Sequence, residues 1–181
     1  MRIIGGKYRG KKLISPENLG VRPTSDRARE ALFNILRSRL GSFSGCQLLD
    51  VFCGSGAFAL EALSQGFDFV AAADTDVRPV IKNAALFPAE KGKLRIINAD
   101  ARRLRNEDGN FDVMFMDAPY NQGLTVPALQ AVAESGMLKS GAWCLIEVHK
   151  DENCPLPPAY ELLEERRYGL AKVLIARAVV P

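Results

Sequence analysis

Apolar residues between positions 26 and 40 recur at helical spacing. Ala28, Ala31, Leu32, Ile35 and Leu36 mark one buried face, with Arg27, Arg29, Asn34 and Arg37 largely off it. Thr24 or Ser25 is placed to cap the helix, after Pro23 has pushed Arg22 out of helical geometry. Beyond residues 41–45 the pattern changes. Short apolar runs near 46–51, 69–73, 94–98, 112–116 and 142–148 predict strands, and helical spacing returns near 57–65, 77–86 and 125–135. Such alternation predicts an α/β domain, a parallel sheet covered on both faces. Two further strand-like runs, 160–167 and 170–179, flank Tyr168-Gly169 and predict an antiparallel hairpin. The pattern alone also allows a plain doubly wound domain.

A chain of 181 residues is expected to form one domain: a basic extension over 1–24, a helix over 25–40 and a sheet core over 46–181. With 48% hydrophobic and 25% charged residues it has the balance of a water-soluble globule. The apolar stretches fall short of the ~18 residues of a membrane span, and the first residues lack the apolar centre of a signal peptide. A cytoplasmic location, with no membrane partner, is the expectation. Cys46, Cys53, Cys144 and Cys154 form no CxxC pair, and His149 is the single histidine. Metal and histidine-dependent nucleophilic chemistry are therefore disfavoured.

Charge is uneven. Residues 1–40 carry ten Lys/Arg against three Asp/Glu, whereas residues 41–181 carry fourteen against eighteen. Arg2, Lys7, Arg9, Lys11 and Lys12 alternate with Ile3, Ile4, Tyr8 and Leu13, the pattern of a short β-ribbon with a polyanion as its partner.

The glycines of Asp50-Val51-Phe52-Cys53-Gly54-Ser55-Gly56 lie between the first strand and a helix. They allow backbone amides to approach a ligand closely beside a helix N-terminus. Gly54-x-Gly56-x-x-Ala59 also satisfies a dinucleotide fingerprint, with Asp74 placed twenty residues on to accept ribose hydroxyls. Asp50 favours S-adenosylmethionine, because a carboxylate there suits a cationic amino-acid moiety and not a pyrophosphate. Asp100, followed by Ala101, is a further acid after the third strand, placed to accept from an adenine amine.

Asp117-Ala118-Pro119-Tyr120 follows the strand-like run 112–116. An exocyclic base amine is a poor nucleophile because its lone pair is delocalised into the ring. Asp117 and the carbonyl of Ala118 can each accept one N–H, which favours a pyramidal nitrogen, and the carboxylate can take the released proton. Pro119 keeps Ala118 extended, and Tyr120 can stack on the base. In a duplex the base must first leave its stack.

With these motifs in view, the chain resembles the family of bacterial 16S ribosomal RNA guanine-N2 methyltransferases of the RsmD type. The resemblance runs from Arg2-Ile3-Ile4-Gly5-Gly6-Lys7-Tyr8-Arg9-Gly10 to Arg167-Tyr168-Gly169, and its most specific part is the segment from Arg22-Pro23-Thr24-Ser25-Asp26-Arg27 to Leu36. It implies a class I S-adenosylmethionine-dependent methyltransferase (Rossmann-like) fold, with a mostly parallel seven-stranded sheet and a C-terminal antiparallel hairpin. It implies one guanosine of 16S ribosomal RNA as target, within the assembling small subunit; a monomer is the expectation for the chain itself. It also implies that the basic first segment and a lip of Arg22, Thr24, Arg27 and Arg29 face the RNA. The family motif reads Asp-Pro-Pro-aromatic, whereas this chain has Ala118 at the first proline. The accepting carbonyl survives the change, but φ is no longer fixed there, so a slower, functional enzyme is expected. Other readings compatible with the motifs are a DNA adenine or cytosine amino methyltransferase, a non-catalytic RNA-binding assembly factor, and a dehydrogenase.

Overall fold

The computed structural model describes residues 1–15, 24–106 and 109–181. Its element order is α1 (Asp26–Leu40), β1 (Gln47–Val51), α2 (Ala57–Gln65), β2 (Phe69–Asp74), α3 (Arg78–Ala84), β3 (Leu94–Asn98), β4 (Phe111–Asp117), α4 (Thr125–Ser135), β5 (Leu138–His149), β6 (Tyr160–Tyr168) and β7 (Ala171–Ala178). The seven strands form one sheet in the order β3-β2-β1-β4-β5-β7-β6. Strands β1 to β5 run parallel, and β7 joins β5 and β6 antiparallel. This is the mostly parallel sheet with a closing antiparallel hairpin that the sequence predicts. The strand order reverses between β1 and β4, a topological switch point outside whose carboxyl ends open α/β sheets bind ligands.

Side chains alternate across the sheet, so each strand feeds two cores. Leu48, Val70, Val113, Phe115, Leu145 and Ile175 pack under α1 and α2, while Leu49, Ala71, Met114, Met116, Ile146 and Leu174 pack under α4. On the first side Phe58 stacks on Phe115 at 3.8 Å between centroids, and Phe33 of α1 lies 4.6 Å from Phe58. That aromatic column fixes α1 over the carboxyl ends of β1 and β4. Ser25 caps α1, its Oγ accepting from the Ala28 amide at 3.1 Å, which leaves Thr24 for another use.

The buried face of α1 is wider than expected. Arg29 and Phe33 are buried with Leu32 and Leu36, one stripe at i, i+3, i+4 and i+7. Arg29 therefore faces inward, and its expected place on an RNA-facing lip is corrected by its 1% exposure. Its guanidinium meets Glu61 at 3.4 Å, Asp26 at 3.0 Å and the carbonyl of Arg2. Glu61, fully buried, also accepts the amides of Ile4 and Gly5, each at 2.8 Å. A long cation one turn from an apolar stripe is buried only when such a partner awaits it on another element, and spacing along α1 does not reveal Glu61.

The N-terminal segment pairs antiparallel over a short stretch around a 3-10 turn at Gly6–Tyr8: Arg2 bridges Lys12, and the Ile3 and Leu13 amides donate to the Lys11 and Met1 carbonyls at 2.9 and 3.1 Å. A Cβ on Gly6 would lie 1.8 Å from the Ser64 carbonyl oxygen, so the turn is glycine by necessity where it presses on α2. Replacing Glu61 with Ala strands the Arg29 charge and two amides, and it should lower unfolding stability by roughly 3–5 kcal/mol. Chemical denaturation of variant and parent checks the value.

Candidate active site at the carboxyl ends of the strands

Period-two alternation carries three carboxylates to one face of the sheet. Asp50 follows Leu48, Asp117 follows Phe115 and Glu147 follows Leu145, all on the α1 side. Asp117 and Glu147 are direct register partners across the parallel β4–β5 pair. Glu147 was not singled out from the sequence. Its signal was a lone acid inside the apolar run Leu145-Ile146-Glu147-Val148, and a parallel pairing that cannot be read from one strand.

Thr24, just before α1, closes this pair. Its Oγ1 lies 3.2 Å from Asp117 Oδ2 and 3.2 Å from Glu147 Oε2. Tyr120 donates its hydroxyl to Glu147 Oε1 at 2.8 Å, and its ring meets His149 edge-on at 5.6 Å. Burial, followed by the repulsion of Glu147, holds the Asp117 carboxyl well above the usual carboxylate range, against the opposing hydrogen bond from Thr24. Ala118 is buried and Pro119 exposed, so the chain reaches the surface within two residues of the carboxyl end of β4.

On the neighbouring strand the glycine loop carries unusual backbone. Phe52 has φ 62°, a left-handed value rarely adopted by a bulky residue, and it packs against the α4-side core. Gly56 has φ 77°, and a Cβ there would lie 2.5 Å from Val80 Cγ2. Gly54 has φ 52°, with open space where a Cβ would stand. Its amide donates to Asp74 Oδ2 at 2.9 Å, so the acid ending β2 sets the shape of the loop after β1.

Asp50 is 1% exposed. Its Oδ2 accepts the Ala59 amide at 3.1 Å, while Oδ1 has no hydrogen-bond partner in the structure. Burial pushes its carboxyl up to about 8, against the amide. An orphaned, buried carboxylate oxygen beside an open glycine cradle fits a ligand carrying an ammonium group, as the amino-acid end of S-adenosylmethionine does. Asp100 caps the turn at Ala101–Arg103 and is held by the Arg102 guanidinium, which brings its carboxyl down to about 2. It is ionised, with Ala101 buried beside it.

The structure separates the basic residues assigned to RNA. Arg9, Lys12 and Arg27 are exposed, and Arg2 is exposed with Asp26 at 3.6 Å. Lys7 is paired with buried Glu90, and Lys11 is half-buried over Phe87, bonded to the Leu86 carbonyl. Arg22 lies outside the described residues. Among the described residues no group of three or more His, Cys, Asp or Glu is placed to hold a metal ion. No helix among them is long and apolar enough to cross a membrane.

A protein family described as conserved hypothetical protein 95 matches residues 1–177. The chain belongs to this family. Among its relatives, the ribosomal RNA small subunit methyltransferase D of Escherichia coli (strain K12) is 36% identical over 163 residues, 88% of this chain and 80% of that protein. Its counterpart in Haemophilus influenzae is 33% identical over 94% of this chain and 90% of that protein. A solved structure, the putative methyltransferase yhhF from Escherichia coli, superposes with a TM-score of 0.84 at 30% identity, covering all of this chain and 99% of that one. The family chain described here has the class I methyltransferase fold, and proteins of that fold have been solved with S-adenosylhomocysteine or AdoMet bound.

Asp50 supplies a test of the cradle. Its folded form keeps a proton that the unfolded chain releases near pH 4, so the ligand-free protein should lose stability as pH rises toward 8. Asp50→Asn should flatten that slope in melting scans and weaken S-adenosylmethionine binding by roughly 10- to 100-fold, read by calorimetry.

Proposed function

We propose that this protein methylates the exocyclic N2 amine of one guanosine in 16S ribosomal RNA of the small subunit, with S-adenosylmethionine as donor. The observation that carries the reading is the placement of Asp117-Ala118-Pro119-Tyr120 at the end of β4, next to the glycine loop after β1, with Asp117 and Asp50 on the same face. Relatives named as small-subunit ribosomal RNA methyltransferases support the substrate class, and the family speaks against a dehydrogenase or a DNA-directed enzyme.

S-adenosylmethionine supplies an electrophilic methyl group held on a sulfonium. Asp50 would bind its ammonium, the Gly54–Gly56 loop would lie against its amino-acid end, Asp74 would take ribose hydroxyls, and Asp100 with Ala101 would face the adenine. Asp117 and the Ala118 carbonyl accept the two N–H groups of the guanine amine and turn its lone pair toward the methyl carbon. As the new N–C bond forms and the C–S bond breaks, Asp117 takes the proton released from N2. A carboxyl held above its ordinary range is a better proton acceptor than an exposed one. Tyr120 covers the flipped base, and orientation of the two bound reactants supplies much of the remaining rate. The exposed cations Arg2, Arg9, Lys12 and Arg27, together with Thr24, face the RNA, and the substrate is the assembling subunit. The enzyme works as a cytoplasmic monomer.

Methyl-labelled S-adenosylmethionine and small subunits from a strain lacking the gene test this directly. Label is expected in N2-methylguanosine and should disappear with Asp117→Ala. Label in another base would overturn the guanosine assignment, and binding without turnover would leave a non-catalytic assembly factor. The pH dependence follows from the same carboxyl. Protonated Asp117 cannot accept an N–H, so the single-turnover rate should rise with pH through a midpoint above the ordinary carboxylate range. A rate already level at pH 5 and above would contradict the assigned role.

A further inference from the structure

Glu147 has no place in the mechanism above, yet it is held as closely as Asp117. It is 5% exposed, lies opposite Asp117 in the strand register, and is held at Oε1 by the Tyr120 hydroxyl at 2.8 Å, while its Oε2 shares the Thr24 hydroxyl with Asp117 at 3.2 Å. One hydroxyl oxygen thus touches both carboxylates, so the two acceptors stand side by side at the ends of neighbouring strands.

The bases differ in what stands beside the exocyclic amine. In guanine the neighbouring ring nitrogen, N1, carries a hydrogen, so amine and ring nitrogen form a donor–donor pair. In adenine and cytosine the corresponding nitrogen is a bare acceptor. Glu147 is the strand-end acceptor beside Asp117 and anchors the ring of Tyr120, so a base whose amine is at Asp117 can set its ring nitrogen toward Glu147. A carboxylate there bonds guanine N1–H and repels the lone pair of adenine N1 or cytosine N3. Each carboxylate oxygen offers two acceptor sites, so an oxygen bonded to a hydroxyl still accepts a base N–H.

From this arrangement we propose that Glu147 is the specificity-determining residue of the site, the second acceptor that selects guanine over adenine and cytosine by bonding N1–H. The inference rests on the guanosine reading and adds a residue and a rule of selection to it. A site built to bond an N–H rejects an analogue lacking it far more strongly than an apolar pocket rejects a change of shape.

2-Aminopurine is the discriminating probe, since it keeps the N2 amine and replaces N1–H with a lone pair. Small subunits are reconstituted with 16S RNA carrying either guanosine or 2-aminopurine at the methylated position, and kcat/KM is measured for each. The parent enzyme should prefer guanosine by roughly 10- to 100-fold, the effect of one charged hydrogen bond lost and a lone pair opposed. Glu147→Gln, whose amide can donate to a bare nitrogen, should abolish that preference. Glu147→Asp, which keeps an acceptor, should retain it at a lower rate. S-adenosylmethionine affinity and melting temperature show that each variant is folded. If Glu147→Gln slows both substrates equally and keeps the parent ratio, Glu147 merely anchors Tyr120 and Thr24, and the proposal falls. If the parent shows no preference, it falls as well. Failure of the parent to methylate unmodified subunits would instead overturn the guanosine reading on which it rests.

Discussion

Three buried or half-buried carboxylates facing one way at the ends of adjacent parallel strands are the constraint around which this molecule is organised. Burial raises the Asp50 and Asp117 carboxyls, and Glu147 and Asp50 add repulsion at Asp117, an arrangement a fold selected for stability alone would avoid. Parallel register makes it unavoidable once acids stand at these positions, because partners across a parallel pair share a face. The Thr24 hydroxyl, the Ala59 amide and the Tyr120 hydroxyl offset part of the strain. Asp50 Oδ1 is left unbonded, and a donor-rich ligand satisfies it and its neighbours better than the protein does.

Thr24 reaches the acid pair only because α1 is fixed at two points. The Phe33–Phe58–Phe115 column joins α1 and α2 to β4, at 4.6 and 3.8 Å between successive rings. The Arg29–Glu61 pair joins α1 to α2 and collects the amides of Ile4 and Gly5. The first segment of the chain, the helix after it and the catalytic strand ends are thus one connected body.

Much of this was legible in the sequence, and the reasons are local. Strands with apolar cores and helices with clear spacing announce themselves, and α1, β3 and α4 span the residues that periodicity alone marks. The glycine loop and Asp117-Ala118-Pro119-Tyr120 were legible because their chemistry sits in consecutive residues. What stayed hidden depends on pairing across distance. Arg29 reads as a surface cation until Glu61 is placed beneath it, and Thr24 reads as a cap until Ser25 takes that role. Glu147 reads as an interruption in a strand until the β4–β5 register sets it against Asp117. Lys7 and Lys11 read as plain surface cations until Glu90 and the Leu86 carbonyl are placed beside them.

The central claim is geometric: one strand-end carboxylate holds the amine that is methylated. A crystal structure of the protein with S-adenosylhomocysteine and guanosine measures it directly. The account predicts guanine N2 within hydrogen-bond distance, about 3.2 Å or less, of an Asp117 oxygen, with the amine directed toward the sulfur. Guanosine seated elsewhere, or with N2 turned away from Asp117 toward solvent, would contradict it.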